Sequence, residues 1–288
     1  MPSISAVEGT AAGLTRLALA LLCIAAACGR PPARTLDAAT TTSVQNSGLL
    51  AQLLPAYEAR AGITVRVHAA GSGRSLQMLA DGVVDLVMSH APEAEQRFLG
   101  QHPDWSYRKF AYNRFVVAGP PLDPAGVRDA ADLVDAFKRI AGSGERFVSR
   151  GDESGTHERE RAIWAAAGTS LDASWLIVSG RGMAQALRHA DEARAYVLTD
   201  DATFRQLQKR LDLAVLFDHD PRLSNGYAVV YPRVDPAAVA FADWLAGPQG
   251  RAAIAGFTID GAPAFTPWPA DCAGARPTDT PCREVGVR

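Results

Sequence analysis

This chain predicts an α/β fold in two lobes with a ligand cleft between them. Three observations point there. Short apolar runs alternate with helical patterns from Thr35 onward, Gly, Ser or Thr stands at the joins, and two extended runs, 112–121 and 225–232, end at proline. Alternating strands and helices argue for largely parallel sheets faced by helices. The proline-terminated runs read as crossings, which puts 35–113 and 225–270 in lobe I and 114–224 in lobe II.

The elements follow in order. A strand is expected over 36–39, then a Thr/Ser turn, then a helix over 47–61 with Leu49, Leu50, Leu53, Leu54 and Tyr57 at helical spacing. A strand over 63–69, the turn Gly71-Ser72-Gly73, a helix over 75–81 and a strand over 83–88 come next. Further strands are expected at 115–118, 147–149, 176–178, 195–198 and 228–231. Helices fall near 130–141, 154–167, 183–190, 203–211 and 237–245. Trp164 and Trp244 lie on amphipathic helices and are expected in the core. Asp191, Glu192, Asp218 and Asp220 read as solvated loop charges, and His157 as exposed.

The ends carry a different signal. Arg16 precedes the apolar run 17–27, which closes on Ala25-Ala26-Ala27 before Cys28. A positive start, a short apolar stretch and small residues before the cut describe a secretory signal over 1–28. Cys28 resembles a lipoprotein acylation site, with Ala25 where leucine is usual. Cys272 and Cys282 flank a Gly/Pro/Thr-rich stretch in the tail 271–288. In an oxidising compartment they read as a disulfide, since neither His nor a further Cys accompanies them as a metal partner.

The chain has 288 residues, 21% of them charged, and a formal net charge of −2, and nothing in that charge suggests a nucleic-acid surface or a polybasic membrane contact. An anionic ligand would have to be drawn by local geometry. Four strand-to-helix joins offer it: Thr40-Thr41-Thr42-Ser43, Gly71-Ser72-Gly73, Ser149-Arg150-Gly151-Asp152-Glu153-Ser154-Gly155-Thr156, and Ser179-Gly180-Arg181-Gly182. Helix N-termini present unpaired N–H donors and partial positive charge, hydroxyls add neutral donors, and glycine admits close approach. A lone Ser or Thr before a helix is ordinarily an N-cap, which is the plain reading of Ser43 or Ser72 taken singly. The third join is more specific, because Asp152 stands two residues from Arg150 and can orient its guanidinium.

The Thr/Ser opening, with Asn46-Ser47-Gly48-Leu49-Leu50 behind it, resembles the tungstate-binding proteins of bacterial ABC importers. Ser149 to His157 and Ser179-Gly180-Arg181-Gly182-Met183 resemble two further signatures of that family, in order along nearly the whole mature chain. The arrangement Arg150-x-Asp152-x-Ser154-Gly155-Thr156 is shared with phosphate-binding proteins, so the Thr/Ser opening tilts the resemblance to tungstate. It implies a type II periplasmic binding protein fold, capture of a tetrahedral oxyanion between the lobes, and delivery to a membrane permease and its ATPase by a monomeric carrier. It implies as ligands Thr41, Thr42, Ser43 and Ser72 from one lobe, and Arg150, Ser154, Gly155, Thr156 and Arg181 from the other. Asp152 would hold Arg150 or accept a proton from phosphate. Arg181 departs from the family pattern, where a neutral residue such as Gln is expected, and the cysteine tail lies beyond the usual family end.

Other classes fit less well. Ser154 sits one place too late for a G-x-S-x-G nucleophile loop, and the sequence supplies no evident histidine base for it. The six histidines show no paired metal-ligand spacing. Gly180-x-Gly182 lacks the third small residue of a dinucleotide fingerprint, since Gln185 stands there. No cofactor is expected. Molybdate or phosphate binding on the same fold, and an exported oxyanion sensor, remain alternatives to tungstate import.

Overall fold

The computed structural model describes residues 34–169, 174–270 and 277. The export signal over 1–28, Cys28 and the Cys272/Cys282 pair lie outside the described residues.

Strand β1 (Thr35–Thr41) pairs in parallel with β2 (Thr64–Ala70) on one side and β3 (Leu86–Ser89) on the other. Between them run α1 (Thr42–Ser47), α2 (Leu49–Ala61) and α3 (Ser72–Ala80). The Thr/Ser turn and the helix expected from 47 are thus two helices, not a turn and one helix. Thr41 caps the first through its hydroxyl, and Gly48 at φ +83° breaks the chain between them. Helix α4 (Pro92–Gln101), unread in the sequence, follows β3 with proline at its first position, where the missing N–H costs nothing.

Strand β4 (Trp105–Gly119) is far longer than the expected 115–118. Its first part lies antiparallel to β9 (Ser224–Pro232), in register from Trp105 opposite Pro232 to Arg114 opposite Ser224, with a bulge between Lys109 and Ala111. Its last residues pair antiparallel with β7 (Tyr196–Asp200) and β8 (Ala214–Phe217). Strand β5 (Phe147–Ser149) joins β7 and β6 (Leu176–Val178) in parallel. The sheet order is β2-β1-β3-β9-β4-β7-β5-β6. Parallel pairing therefore holds only at the two ends of the sheet. The middle is antiparallel, because β4 and β9 run in opposite directions through the junction.

The remaining α-helices among the described residues are α5 (Leu133–Ser143), α6 (Gly155–Ala167), α7 (Met183–Ala193), α8 (Asp201–Leu207), α9 (Pro236–Ala246) and α10 (Pro248–Ala255). Each half of the sheet has its own core. Leu36, Leu53, Tyr57, Phe241 and Leu245 pack together in the first, with Tyr57 edge-on to Phe241 at 4.8 Å between centroids. In the second, Trp164 is fully buried, with ring centroids 4.4 Å from Phe137 and 5.1 Å from Phe147. Trp164 and Trp244 are core residues, as expected. Asp220 is not a solvated charge. It is buried, and its carboxylate accepts from the Leu133 N–H and from Arg222.

Candidate functional site

The four joins meet where the two halves of the sheet face each other. Glycines set the closeness of that meeting. A Cβ on Gly71 would lie 2.7 Å from the Asp152 carbonyl oxygen, one on Gly155 would lie 2.3 Å from the His90 carbonyl oxygen, and one on Gly182 would lie 3.1 Å from the Thr42 hydroxyl. Each pairs an element of the first half with one of the second. Two hydrogen bonds run the same way, from Gln206 Nε2 to the Ser47 carbonyl (3.0 Å) and from the Thr203 hydroxyl to the Ser43 carbonyl (3.5 Å).

Arg150 is the centre of this arrangement and is wholly buried. It follows β5, and its own N–H donates to Glu160 Oε2 on α6 at 3.0 Å. Its Nη2 donates to Asp152 Oδ2, and its Nε donates to the carbonyl oxygen of Arg181 at 3.2 Å. The remaining terminal nitrogen, Nη1, makes no hydrogen bond within the protein. A guanidinium so held has one edge fixed and one edge still able to donate.

Several hydroxyls among the described residues share that condition, three of them at these joins in the first turns of helices. Ser43 Oγ, Ser72 Oγ and Thr156 Oγ1 are buried without a protein partner. Buried polar groups are nearly always paired, so these four donors are free to serve a partner that the protein itself does not supply. They lie on both sides of it: Ser43 and Ser72 in the first turns of α1 and α3, Arg150 and Thr156 in the β5–α6 join. Gly155 and Thr156 also place the first two N–H groups of α6 there, beside a partial positive charge. The donor set suits a small anion with oxygen on every side.

The other expected ligands have different positions. The Thr41 hydroxyl accepts from the Val44 N–H at 3.2 Å as the cap of α1. Thr42 is half-buried against Gly182. Ser154 caps α6, accepting from the His157 N–H, while its hydroxyl and N–H both donate to Asp152 Oδ1, at 2.6 and 3.3 Å. Arg181 has an exposed side chain and reaches Arg150 through its backbone. His157 is half-buried, and its Nδ1 accepts from the Glu153 N–H.

Sequence reasoning passed over a second set of buried groups around the cleft. His90 Nδ1 donates to Asn225 Oδ1 at 3.0 Å, and Asn225 Nδ2 donates to Asn113 Oδ1 and the Tyr227 hydroxyl. These residues tie the β3–α4 join to the β4–β9 pair. Burial holds the His90 imidazole down at about 4, so it is neutral. Asp200 caps α8, and burial raises its carboxyl to about 6 against the opposing pull of Thr203 and Arg150. Burial likewise raises Glu160 to about 7. Thr40 Oγ1 is a further buried hydroxyl without a protein partner. Asp200 ends β7 directly before α8, an acidic strand-to-helix join without glycine, and that position is the signal in the sequence that could have found it.

The chain is similar to known proteins along most of its length. A family model described as a PBP superfamily domain matches residues 29–249. The tungstate-binding protein TupA of Peptoclostridium acidaminophilum is 35% identical over 240 residues, covering 80% of this chain and 84% of that protein. The crystal structure of the tungstate ABC transporter from Geobacter sulfurreducens superposes with a TM-score of 0.71 at 36% identity, over 77% of this chain and 98% of that one. The tungstate-binding protein TupA from Desulfovibrio alaskensis G20 gives 0.69 at 34% identity, over 82% and 99%.

Proposed function

Because the chain belongs to the PBP superfamily and, within it, to the family of TupA tungstate-binding proteins, we propose that it captures tungstate outside the cytoplasmic membrane for an ABC importer. It acts as a binding protein, not an enzyme, and its partners are the importer's permease and ATPase. The observation that carries this reading is the set of four unspent buried donors, Ser43 Oγ, Ser72 Oγ, Thr156 Oγ1 and Arg150 Nη1, divided between the two sides of one cleft.

In this reading the lobes, 35–113 with 225–270 and 114–224, hinge at the β4–β9 pair. The open form presents Ser43 and Ser72 on one side and Arg150 and Thr156 on the other. Only closure brings both halves of the donor shell onto one anion, so the anion stabilises the closed form. Asp152 serves Arg150 rather than the anion, because both its oxygens accept from Arg150 and Ser154. That favours oxyanions that carry no proton at neutral pH, tungstate, molybdate and sulfate, over hydrogen phosphate, which must donate one.

Phosphate is the second reading, and one observation favours it. Asp200 Oδ2 is buried without a hydrogen-bond partner and is an acceptor of the kind hydrogen phosphate needs. Calorimetric titration with tungstate, molybdate, sulfate and phosphate decides between them. Tight tungstate binding with weak phosphate supports the proposal. Phosphate alone, lost in Asp200→Asn, moves the site to the phosphate reading, and silence from all four overturns both.

A further inference from the structure

Helix α4 begins in a way its own sequence does not complete. The residue before it, Ala91, has no side chain that can cap, and Pro92 has no N–H. The Glu95 N–H enters the helix by donating to the Ala91 carbonyl, and the Glu95 carboxylate reaches back to the Ala91 N–H at 2.9 Å. Two orphan donors are left, the N–H groups of Glu93 and Ala94. Both are taken by one carboxylate from the other side of the cleft: Glu158 Oε1 accepts from Glu93 at 2.8 Å and Oε2 from Ala94 at 3.2 Å.

Glu158 stands on α6, two residues after Thr156 and one turn after the capping Ser154. The helix that offers donors to the cleft therefore carries, one turn further on, the cap for a helix in the opposite half. The contact has the sign that a helix start prefers, a negative charge at the positive end of the dipole. It also uses both carboxylate oxygens, which fixes direction as well as distance. Opening the cleft would return both N–H groups and the carboxylate to water, so the interaction belongs to the closed form.

We propose that Glu158 is a positioning residue for anion retention. It latches α6 onto the start of α4 and so slows release of the anion without touching it. This rests on the reading that the cleft closes on an oxyanion. Association begins from the open form, where Glu158 is hydrated, so the latch acts on dissociation.

The test is stopped-flow release of tungstate from wild type, Glu158→Ala and Glu158→Gln. Glu158→Ala should release the anion about tenfold faster with an association rate within about twofold of wild type. Glu158→Gln keeps one acceptor and should fall between. The anion-free proteins should melt together, which separates a latch from a fold-supporting contact. An unchanged dissociation rate in Glu158→Ala overturns the latch and leaves the anion reading standing. A faster rate accompanied by an equal loss of anion-free stability also overturns it. A wild type that binds no oxyanion overturns both.

Discussion

The Nε of Arg150 donates to the main-chain carbonyl of Arg181, 3.2 Å away, while the Arg181 side chain is exposed. One arginine is thus oriented by the backbone of another. The carbonyl and Asp152 together leave Nη1 as the donor without a protein partner. Removing the Arg181 side chain does not remove its carbonyl, so Arg181→Ala should bind tungstate within about threefold of wild type. Arg150→Ala should lose about 1.5–3 kcal/mol, roughly 10- to 150-fold in Kd. Arg150→Lys keeps the charge but loses the fork and should recover little. Calorimetry on the three variants checks the pattern, and equal losses for Arg150 and Arg181 would refute it.

The glycines that separate the two sides of the cleft give a graded series. At Gly71 and Gly182 the backbone is extended, at φ −65° and −60°, so alanine is not strained there in isolation. What a Cβ meets is the opposite side: backbone at 2.7 Å for Gly71, the movable Thr42 side chain at 3.1 Å for Gly182. Gly71→Ala should weaken anion binding by at least about tenfold and leave the anion-free melting temperature within about 2 °C of wild type. Gly182→Ala should cost less, since Thr42 can turn. Loss of anion-free stability in Gly71→Ala would mean that the contact belongs to the resting fold rather than to closure.

These residues also show what could be read in advance. Ser43, Ser72, Arg150 and Thr156 lie at strand-to-helix joins whose hydroxyls and glycines are local signals, so sequence located them. It could not say which hydroxyls remain unspent. Thr41 and Ser154 look the same in sequence as Ser43 and Thr156, yet the first two are used as caps, because that depends on where each helix begins. His90, Asn225 and Asp200 carry no local mark. They meet only because β4 pairs with both β9 and β7 across the middle of the sheet, a non-local fact. The long β4 itself was hidden by Arg108, Lys109 and Arg114, charges that interrupt the apolar run. Asp220 shows the same limit, since a loop aspartate reads as solvated until the start of α5 is seen to pack on it.

Asp220 gives a stability prediction. Burial would raise its carboxyl, but the Arg222 guanidinium and the N–H groups of Leu133 and Arg222 outweigh this and hold it at about 2. A carboxylate depressed in the folded state stabilises it above the ordinary value near 4, and that stability is lost as pH falls toward 2. Asp220→Ala should therefore cost about 1.5–3 kcal/mol at pH 7. The difference from wild type should shrink below pH 4. Urea denaturation at pH 7 and pH 3 measures both, and a pH-independent difference would show that packing, not charge, is what Asp220 supplies.

Asp200 carries the opposite sign and bears on binding. Its carboxyl is raised to about 6, so it is neutral below that pH and ionised above it, with Arg150 among the charges it feels. An ionised Asp200 adds negative charge where an anion is to bind. The bound anion should raise this carboxyl further, and binding above pH 6 then takes up a proton. Affinity for tungstate, at micromolar concentration, should be flat just below pH 6 and fall above it by at most about tenfold per pH unit. His90, held near 4, stays neutral throughout and does not contribute. Glu160, raised to about 7, ionises in the same range but accepts from the Arg150 main chain, so its effect should be smaller and set in later. Asp200→Asn keeps an oxygen to cap α8 and removes the charge. It should abolish the fall that begins near pH 6 and leave only the Glu160 portion. Dissociation constants at pH 5.5, 6.5 and 7.5 for both proteins decide it: parallel curves would place the titrating group elsewhere, and a fall between pH 5.5 and 6.5 that is steeper in wild type than in Asp200→Asn assigns it to Asp200.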